Sequence, residues 1–336
     1  MTTKQEALEF LEKIEKKDKV GIITHDDLDG FASGVLLVDF LKKKGCNVKV
    51  EIFNYKDNAN QIESSLKDCD KIIITDIAPF GVNALEKLCK NKPVLNIDHH
   101  PKDLEISSKI LEYRSEGYVP ASRMVFELVG GKDWLALAGV LADYGDKYPE
   151  NKDFINKLLG KLKLKQEEFN KKEVFQLIDF IIYFEDGLKK AFELLTEINS
   201  MDEIKKIEKY YKPVEDELDR LRKEFHEKHE EFEKIIYFHC KPKFKLKLKS
   251  ILISSLSCEE PDKIYVFTSL DENGKTIGLS ARNQSREFDT PSVLKPTIAG
   301  FKDSSIGGHR AAAGGFFLKK DMEKFKENLK ELGRKI

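Results

Sequence analysis

Five cysteines in 336 residues, Cys46, Cys69, Cys89, Cys240 and Cys258, are too few and too scattered to staple a fold. None stands in a C-x-x-C pair, which argues against a disulfide framework and a thiolate zinc site and for a reducing, cytoplasmic setting. No apolar run approaches the roughly 20 residues of a membrane span. The segment Met1–Lys19 alternates apolar and charged residues like an amphipathic helix and lacks the apolar core of a signal peptide. The expectation is a soluble intracellular protein with no membrane partner. Net charge is missing as well: 58 Lys and Arg against 59 Asp and Glu leave -1, so no global basic field announces a nucleic-acid partner and any such patch is local. Charge itself is in excess, at 35% of residues and mostly Lys and Glu, a bias of hyperthermophile proteins.

The length suffices for two domains, each with its own core. After a short N-terminal helix, Lys19–Thr24 reads as a strand, Phe31–Lys44 as a helix closed by Gly45, and Asn47–Asn54 as a second strand. A helix follows over about 58–68, then a strand at 71–75, a helix over 81–91 and a strand from Val94 to Asp98. This β-α-β alternation predicts a parallel sheet wound by right-handed crossovers. Residues 104–120 look like a loop with Gly117 and Pro120, and 121–129 and 133–145 read as helices about Gly130-Gly131. Residues 151–200 are helical throughout and read as a cap on a first domain covering 1–200. Residues 201–233, dense in Glu, Lys and Arg, predict a helical linker interrupted at Pro213. Residues 234–336 predict a smaller α+β domain, with strands at 235–239, 244–256, 264–269 and 276–281, a hairpin turn at Asp271–Gly274, and a helix over 320–332.

The chemistry collects where the predicted strands end. Thr24 runs into His25-Asp26-Asp27-Leu28-Asp29-Gly30, Thr75 into Asp76, and Ile97 into Asp98-His99-His100, while the apolar segment 135–142 delivers Asp143. Taken singly, each is as easily a cap: an aspartate before a helix is an ordinary N-cap, and Asp143 an ordinary helix-end residue. Taken together, five carboxylates at one sheet edge would repel one another and take up protons unless cations sat among them. Oxygen ligands mixed with imidazoles suit Mn²⁺ or Mg²⁺, and this many ligands exceeds the needs of one ion. Two ions imply phosphoester hydrolysis.

The four motifs, His25–Gly30, Asp76, Asp98-His99-His100 and Asp143, resemble in identity and order those of the DHH phosphoesterase superfamily, in its RecJ-like, nano-RNase branch with an accessory DHHA1 domain, and with an archaeal source expected. The resemblance implies that His25 and Asp27 hold one metal, that Asp29, His99 and Asp143 hold the other, and that Asp76 bridges them. It further implies a catalytic pair in which His100 faces the substrate phosphate and Asp98 orients an imidazole. Ile306–Gly315 is similar to the glycine-rich segment of the accessory domain, with Ile306 in place of its first glycine, which leaves Gly307, Gly308 and His309 to meet a phosphate. Leu279–Gln284 is similar to a strand bearing a substrate-binding arginine, so Arg282, followed by Asn283, is the expected phosphate ligand.

Lys241, Lys243, Lys245, Lys247 and Lys249 would share one face of a strand, either as a rail for a phosphate backbone or as protection of an edge strand. The reading is a Mn²⁺-dependent exonuclease acting on single-stranded DNA or RNA. Its alternatives are a phosphodiesterase for short oligonucleotides, cyclic dinucleotides or 3′,5′-bisphosphate nucleotides, and a Cdc45-like replication-complex subunit, that is, a replisome component.

Overall fold

The computed structural model describes residues 3–54, 59–90, 92–101, 104–107, 109–115, 118–184, 187–243, 248–271 and 274–336. They form two compact units, Met1–Lys212 and Pro213–Ile336.

The first unit begins with α1 (Lys4–Glu12), β1 (Lys19–His25), α2 (Leu28–Lys43), β2 (Asn47–Phe53), α3 (Ala59–Ser65) and β3 (Lys71–Thr75). There follow α4 (Pro79–Ala84), α5 (Glu86–Cys89), β4 (Val94–Asp98), β5 (Ile110–Arg114), α6 (Ala121–Val129) and α7 (Asp133–Ala142). The helices α8 (Lys152–Leu162), α9 (Gln166–Phe169), α10 (Phe175–Tyr183) and α11 (Leu188–Thr196) come next, and α12 (Glu208–Lys228) carries the boundary between the units.

The five strands pair in parallel in the order β2-β1-β3-β4-β5. Both faces are covered, which is why β3 and β4 read as nearly unbroken apolar runs. Ile22, Ile73, Leu95 and Ile97 face a core built with α2, α7, α10 and α11. Ile23, Ile72, Ile74 and Val94 face a smaller one built with Ile62, Val82, Leu85 and Leu88. The chain steps from β1 outward to β2 and then back past β1 to β3, so the winding reverses between β1 and β3. In an open α/β sheet the crevice at that reversal, at the carboxyl ends of the strands, is where ligands bind.

The second unit contains β6 (Glu230–Phe232), β7 (Ile235–His239), α13 (Leu248–Leu256), β8 (Ile264–Leu270), β9 (Thr276–Arg282), α14 (Thr290–Leu294), β10 (Ser305–His309), β11 (Ala312–Leu318) and α15 (Met322–Gly333). Its mixed sheet has the order β10-β11-β9-β8-β7-β6. One face, with Val266, Leu279, Ala281, Ile306 and Ala313, packs on Phe325 and Leu329 of α15. On the opposite face Phe225 of α12 stacks on Tyr265 and packs edge-on against Phe238 and at a tilt against Phe267.

Four sequence expectations are revised. Residues 110–114, read as loop, form the edge strand β5. The segment 244–256, read as a strand, is helix α13 from Leu248 onward, because Leu248, Leu252, Ile253 and Leu256 recur at helical spacing and are all buried. The lysine rail is lost with it: Lys249 lies on this helix, Lys241 and Lys243 precede it, and Lys245 and Lys247 lie outside the described residues. Pro213 does not interrupt α12, which runs through it. Lastly, the single helix expected over 81–91 is two short helices, α4 and α5, and Asn91 lies outside the described residues. Of the predicted hairpin turn, Glu272 and Asn273 lie outside the described residues, but Gly274 has a left-handed φ of 66° and donates to Asp271 O.

Candidate metal centre

The loop after β1 is shaped by backbone contacts before any ligand is considered. Asp27 is the N-cap of α2: its Oδ1 accepts from the Gly30 N–H at 2.9 Å. The Thr24 hydroxyl donates to the Gly30 carbonyl, and a Cβ on Gly30 would lie 2.6 Å from the His25 carbonyl oxygen, so only glycine allows the turn to close. The second Asp27 oxygen remains, and it stands 2.9 Å from His25 Nδ1. Capping and site chemistry therefore coexist in one side chain.

Asp29 behaves similarly. It points from the first turn of α2 to the start of α6, where its oxygens accept from the N–H groups of Ala121 (2.7 Å) and Ser122 (3.0 Å). Those amides are orphan donors of a helix N-terminus, so a buried carboxylate there is stabilised by hydrogen bonds and by the helix dipole. Its Oδ2 also lies 3.9 Å from His99 Nε2.

His99 is the meeting point. Its Nε2 is 3.2 Å from Asp76 Oδ1 at the end of β3 and 3.6 Å from Asp143 Oδ2 at the end of α7. Asp76 reaches the other way too, with Oδ2 3.8 Å from His25 Nδ1. Two compact donor sets result, His25-Asp27-Asp76 and Asp29-His99-Asp143, and a third grouping joins Asp76 to both His99 and His100.

Asp76 is strained: it is 1% exposed, sits at φ 61°, and among the described residues its Oδ2 has no hydrogen-bond partner. A non-glycine residue in the left-handed region costs on the order of 1 kcal/mol and persists where something else fixes it. Burial, then the charges of Asp27 and Asp29, push its pKa well above the ordinary carboxylate range. Asp143 is raised to about 7 by burial and by the same two aspartates, and Asp29 is raised as well, chiefly by burial. At His25 burial works against the charged form, but Asp27 and its acidic neighbours outweigh it and raise the group to about 8. Asp27, opposed by burial, is held low by His25. Burial lowers His99. Crowded carboxylates forced toward protonation, an orphaned buried oxygen and oxygen donors mixed with imidazoles form a donor set that fits divalent cations.

Asp98, the fifth carboxylate, stands apart from the two donor sets. It is completely buried, and its Oδ1 accepts from His100 Nδ1 at 2.7 Å and from the His100 N–H at 3.2 Å. Its Oδ2 accepts from Arg114 Nη1 at 2.7 Å. Burial opposes the charged imidazole of His100, but the bond to Asp98 prevails and raises its pKa. Arg114 and its second partner, Glu112 (3.0 Å), were missed in the sequence with the strand that carries them. A signal was there, because Leu111 and Tyr113 alternate with Glu112 and Arg114 at the period of a strand.

In the second unit the register sets His309 on β10, Ala312 on β11 and Arg282 on β9 side by side, hence on one face of the sheet. The next row on that face is Gly307, Gly314 and Ser280, and a Cβ on either glycine would meet nothing within 4 Å. Arg282 and His309 thus flank a nearly bare stretch of backbone. Gly308 serves the hairpin itself: its φ is 142° and a Cβ would lie 2.3 Å from the Ala312 carbonyl. Asn283 does not join them. It is fully buried, its Nδ2 donates to the Pro261 and Lys263 carbonyls and its Oδ1 accepts from the Phe288 N–H, so its amide organises the loop and the expected substrate contact is withdrawn.

Fold and site together define an α/β protein with a carboxylate–imidazole centre of the kind that holds divalent cations. Residues 19–159, within the first unit, match the profile of the DHH family, N-terminal domain. No curated protein matches the chain by sequence. Among solved structures, it is similar to an exonuclease RecJ bound to manganese, with 15% identity, a TM-score of 0.74, and coverage of 100% of this chain and 96% of that one. It is also similar to CDC45 from Entamoeba histolytica (11% identity, TM-score 0.60, 98% of each chain). A third likeness is to the pGpG-specific phosphodiesterase PggH from Vibrio cholerae (14% identity, TM-score 0.53, 94% of this chain and 99% of that one). At such identities the likeness is one of fold.

Proposed function

We propose that the protein is a Mn²⁺-dependent phosphodiesterase that releases mononucleotides from single-stranded DNA or RNA. The observation that carries this reading is the place of Asp76 between two donor sets: it groups with His25 and Asp27, and its other oxygen lies 3.2 Å from His99 of the Asp29-His99-Asp143 set. In the proposal each set holds one ion and Asp76 bridges them. Bound divalent cations supply Lewis acidity toward phosphoryl oxygens and lower the pKa of the attacking water. His100, one third exposed and leaning on Asp98 through Nδ1, presents Nε2 to a phosphoryl oxygen. Arg282 neutralises a phosphate, His309 donates a hydrogen bond to it, and the bare backbone at Gly307 and Gly314 lets the strand approach closely.

Magnesium is the second candidate ion. The likeness to the RecJ fold over the whole chain favours the exonuclease reading, and the likeness to PggH supports a second one, the hydrolysis of dinucleotides or other short oligonucleotides.

The test uses end-labelled DNA and RNA strands from dinucleotide to long oligomer, with the protein first stripped by chelator. Turnover should vanish on stripping and return with Mn²⁺, more fully than with Mg²⁺. Full activity after exhaustive chelation would remove the two-ion reading, and a preference for dinucleotides would move the assignment to the short-oligonucleotide class.

A further inference from the structure

We propose that Arg114 is a positioning residue for the reaction, acting through Asp98 on His100. The proposal rests on the phosphodiesterase reading above. The register of β4 against β5 sets Asp98 directly opposite Arg114. The guanidinium then grips the turn that carries His100 at two points. It donates through Nη1 to the carboxylate on which the imidazole leans, and through Nη2 to the carbonyl of His100 itself. Glu112 accepts a third bond, also from Nη1.

The consequence for His100 follows from donor and acceptor roles. An ionised carboxylate only accepts, so His100 Nδ1 must carry its proton toward Asp98, and Nε2 is the nitrogen left to face a ligand. Without Arg114, Asp98 would be a fully buried carboxylate with one oxygen unmatched and free to turn, and the imidazole would lose its fixed direction. The arginine side chain is 4% exposed whereas that of His100 is 34% exposed, so the support is sealed from solvent and the supported group is not. A planar fork that serves three acceptors, two through Nη1 and one through Nη2, is a task for arginine and not for the single ammonium of lysine. An ion pair that merely fastened β5 to β4 would have no need of the His100 carbonyl, which lies beyond the end of β4.

The experiment compares full-length protein loaded with Mn²⁺ as wild type, Arg114→Gln, Arg114→Lys, His100→Gln and the double variant Arg114→Gln/His100→Gln. On a single-stranded oligonucleotide, Arg114→Gln should lower kcat by roughly 10- to 100-fold with KM little changed, and Arg114→Lys should recover only part of the loss. Mn²⁺ stoichiometry by calorimetry should stay as in wild type. In the His100→Gln background the arginine substitution should cause no further loss, because the group it positions is gone. The His100 Nδ1–H proton resonance, recorded with diamagnetic Mg²⁺ in place of paramagnetic Mn²⁺ and assigned by its disappearance in His100→Gln, should broaden or vanish in Arg114→Gln.

Losses that multiply in the double variant, or an unchanged kcat or resonance in Arg114→Gln, would overturn the proposal. If Arg114→Gln does not fold, Arg114→Lys alone and combined with His100→Gln supplies the same comparison. If wild type hydrolyses no ester at all, the functional reading has failed, and the resonance alone decides whether Arg114 holds the imidazole.

Discussion

Asp76 is the residue at which function and stability are set against each other. Its carboxylate is buried among Asp27, Asp29 and Asp143, its pKa is pushed up, and its backbone sits where aspartate is tolerated but asparagine is more at ease. Asp76→Asn should therefore raise the melting temperature of chelator-treated protein, by an amount corresponding to about 1 kcal/mol or more, because it removes a buried like charge. The same variant should lose nearly all turnover, since neither proposed ion keeps its shared charged ligand. Thermal melts in chelator, paired with turnover in Mn²⁺, check both halves. A variant that is less stable without metal would mean that no repulsion is stored there. The identity of such residues was legible in the sequence because the motifs are local and contiguous with strands. Their bonds were not. Nothing in His25–Gly30 announces that Asp29 would cap α6, which begins more than 90 positions later.

At the scale of elements, legibility followed the contrast between apolar and polar positions. Strands β1, β3 and β4 stand out as apolar runs between polar loops, and all three were found. Strand β5 carries Glu112 and Arg114 on its buried face, where they serve Asp98, so its alternation runs opposite to the usual apolar-inward pattern and did not read as a strand. Helix α13 was obscured differently, by lysines alternating with apolar residues just before and into its first turn.

Helix α12 offers a test of how an element is tied down. Glu217, 3% exposed, accepts from Arg220 at 2.7 and 2.8 Å and from the Lys243 N–H at 2.7 Å, which joins the helix to the segment after β7. Burial alone would raise the Glu217 pKa, but these donors outweigh it and hold it below its ordinary 4.5. A carboxylate depressed on folding stabilises the folded state fully above its unfolded pKa and loses that contribution as pH falls through the lower folded value. Glu217→Gln should cost about 1–3 kcal/mol at pH 7. The gap to wild type should narrow in urea melts as pH is taken below about 4. A gap independent of pH would assign the loss to packing instead.

For the whole molecule, the near-zero net charge means that affinity for a polyanion has to come from a few placed groups. The repeated β-α-β alternation made the first unit readable as a parallel sheet. The second was readable as α+β, although the two strands that present its glycines were seen only as a motif, because glycine carries no strand signal of its own. In an inactive Asp76→Asn background, binding of a long single strand should weaken with salt, with a slope of log affinity against log salt of about 0.7 per phosphate contact. If Arg282 neutralises one phosphate and His309 adds a hydrogen bond, Arg282→Ala should reduce that slope by about one contact's worth, and His309→Ala should weaken binding with the slope little changed. Mn²⁺ binding, whose proposed ligands all lie in the first unit, should be unaffected in calorimetry. A dinucleotide, spanning too few phosphates, should show a shallow slope that neither substitution changes much. If the long strand gives the same shallow slope, or if removing Arg282 leaves its slope intact, the second unit does not grip a backbone and the short-oligonucleotide reading prevails.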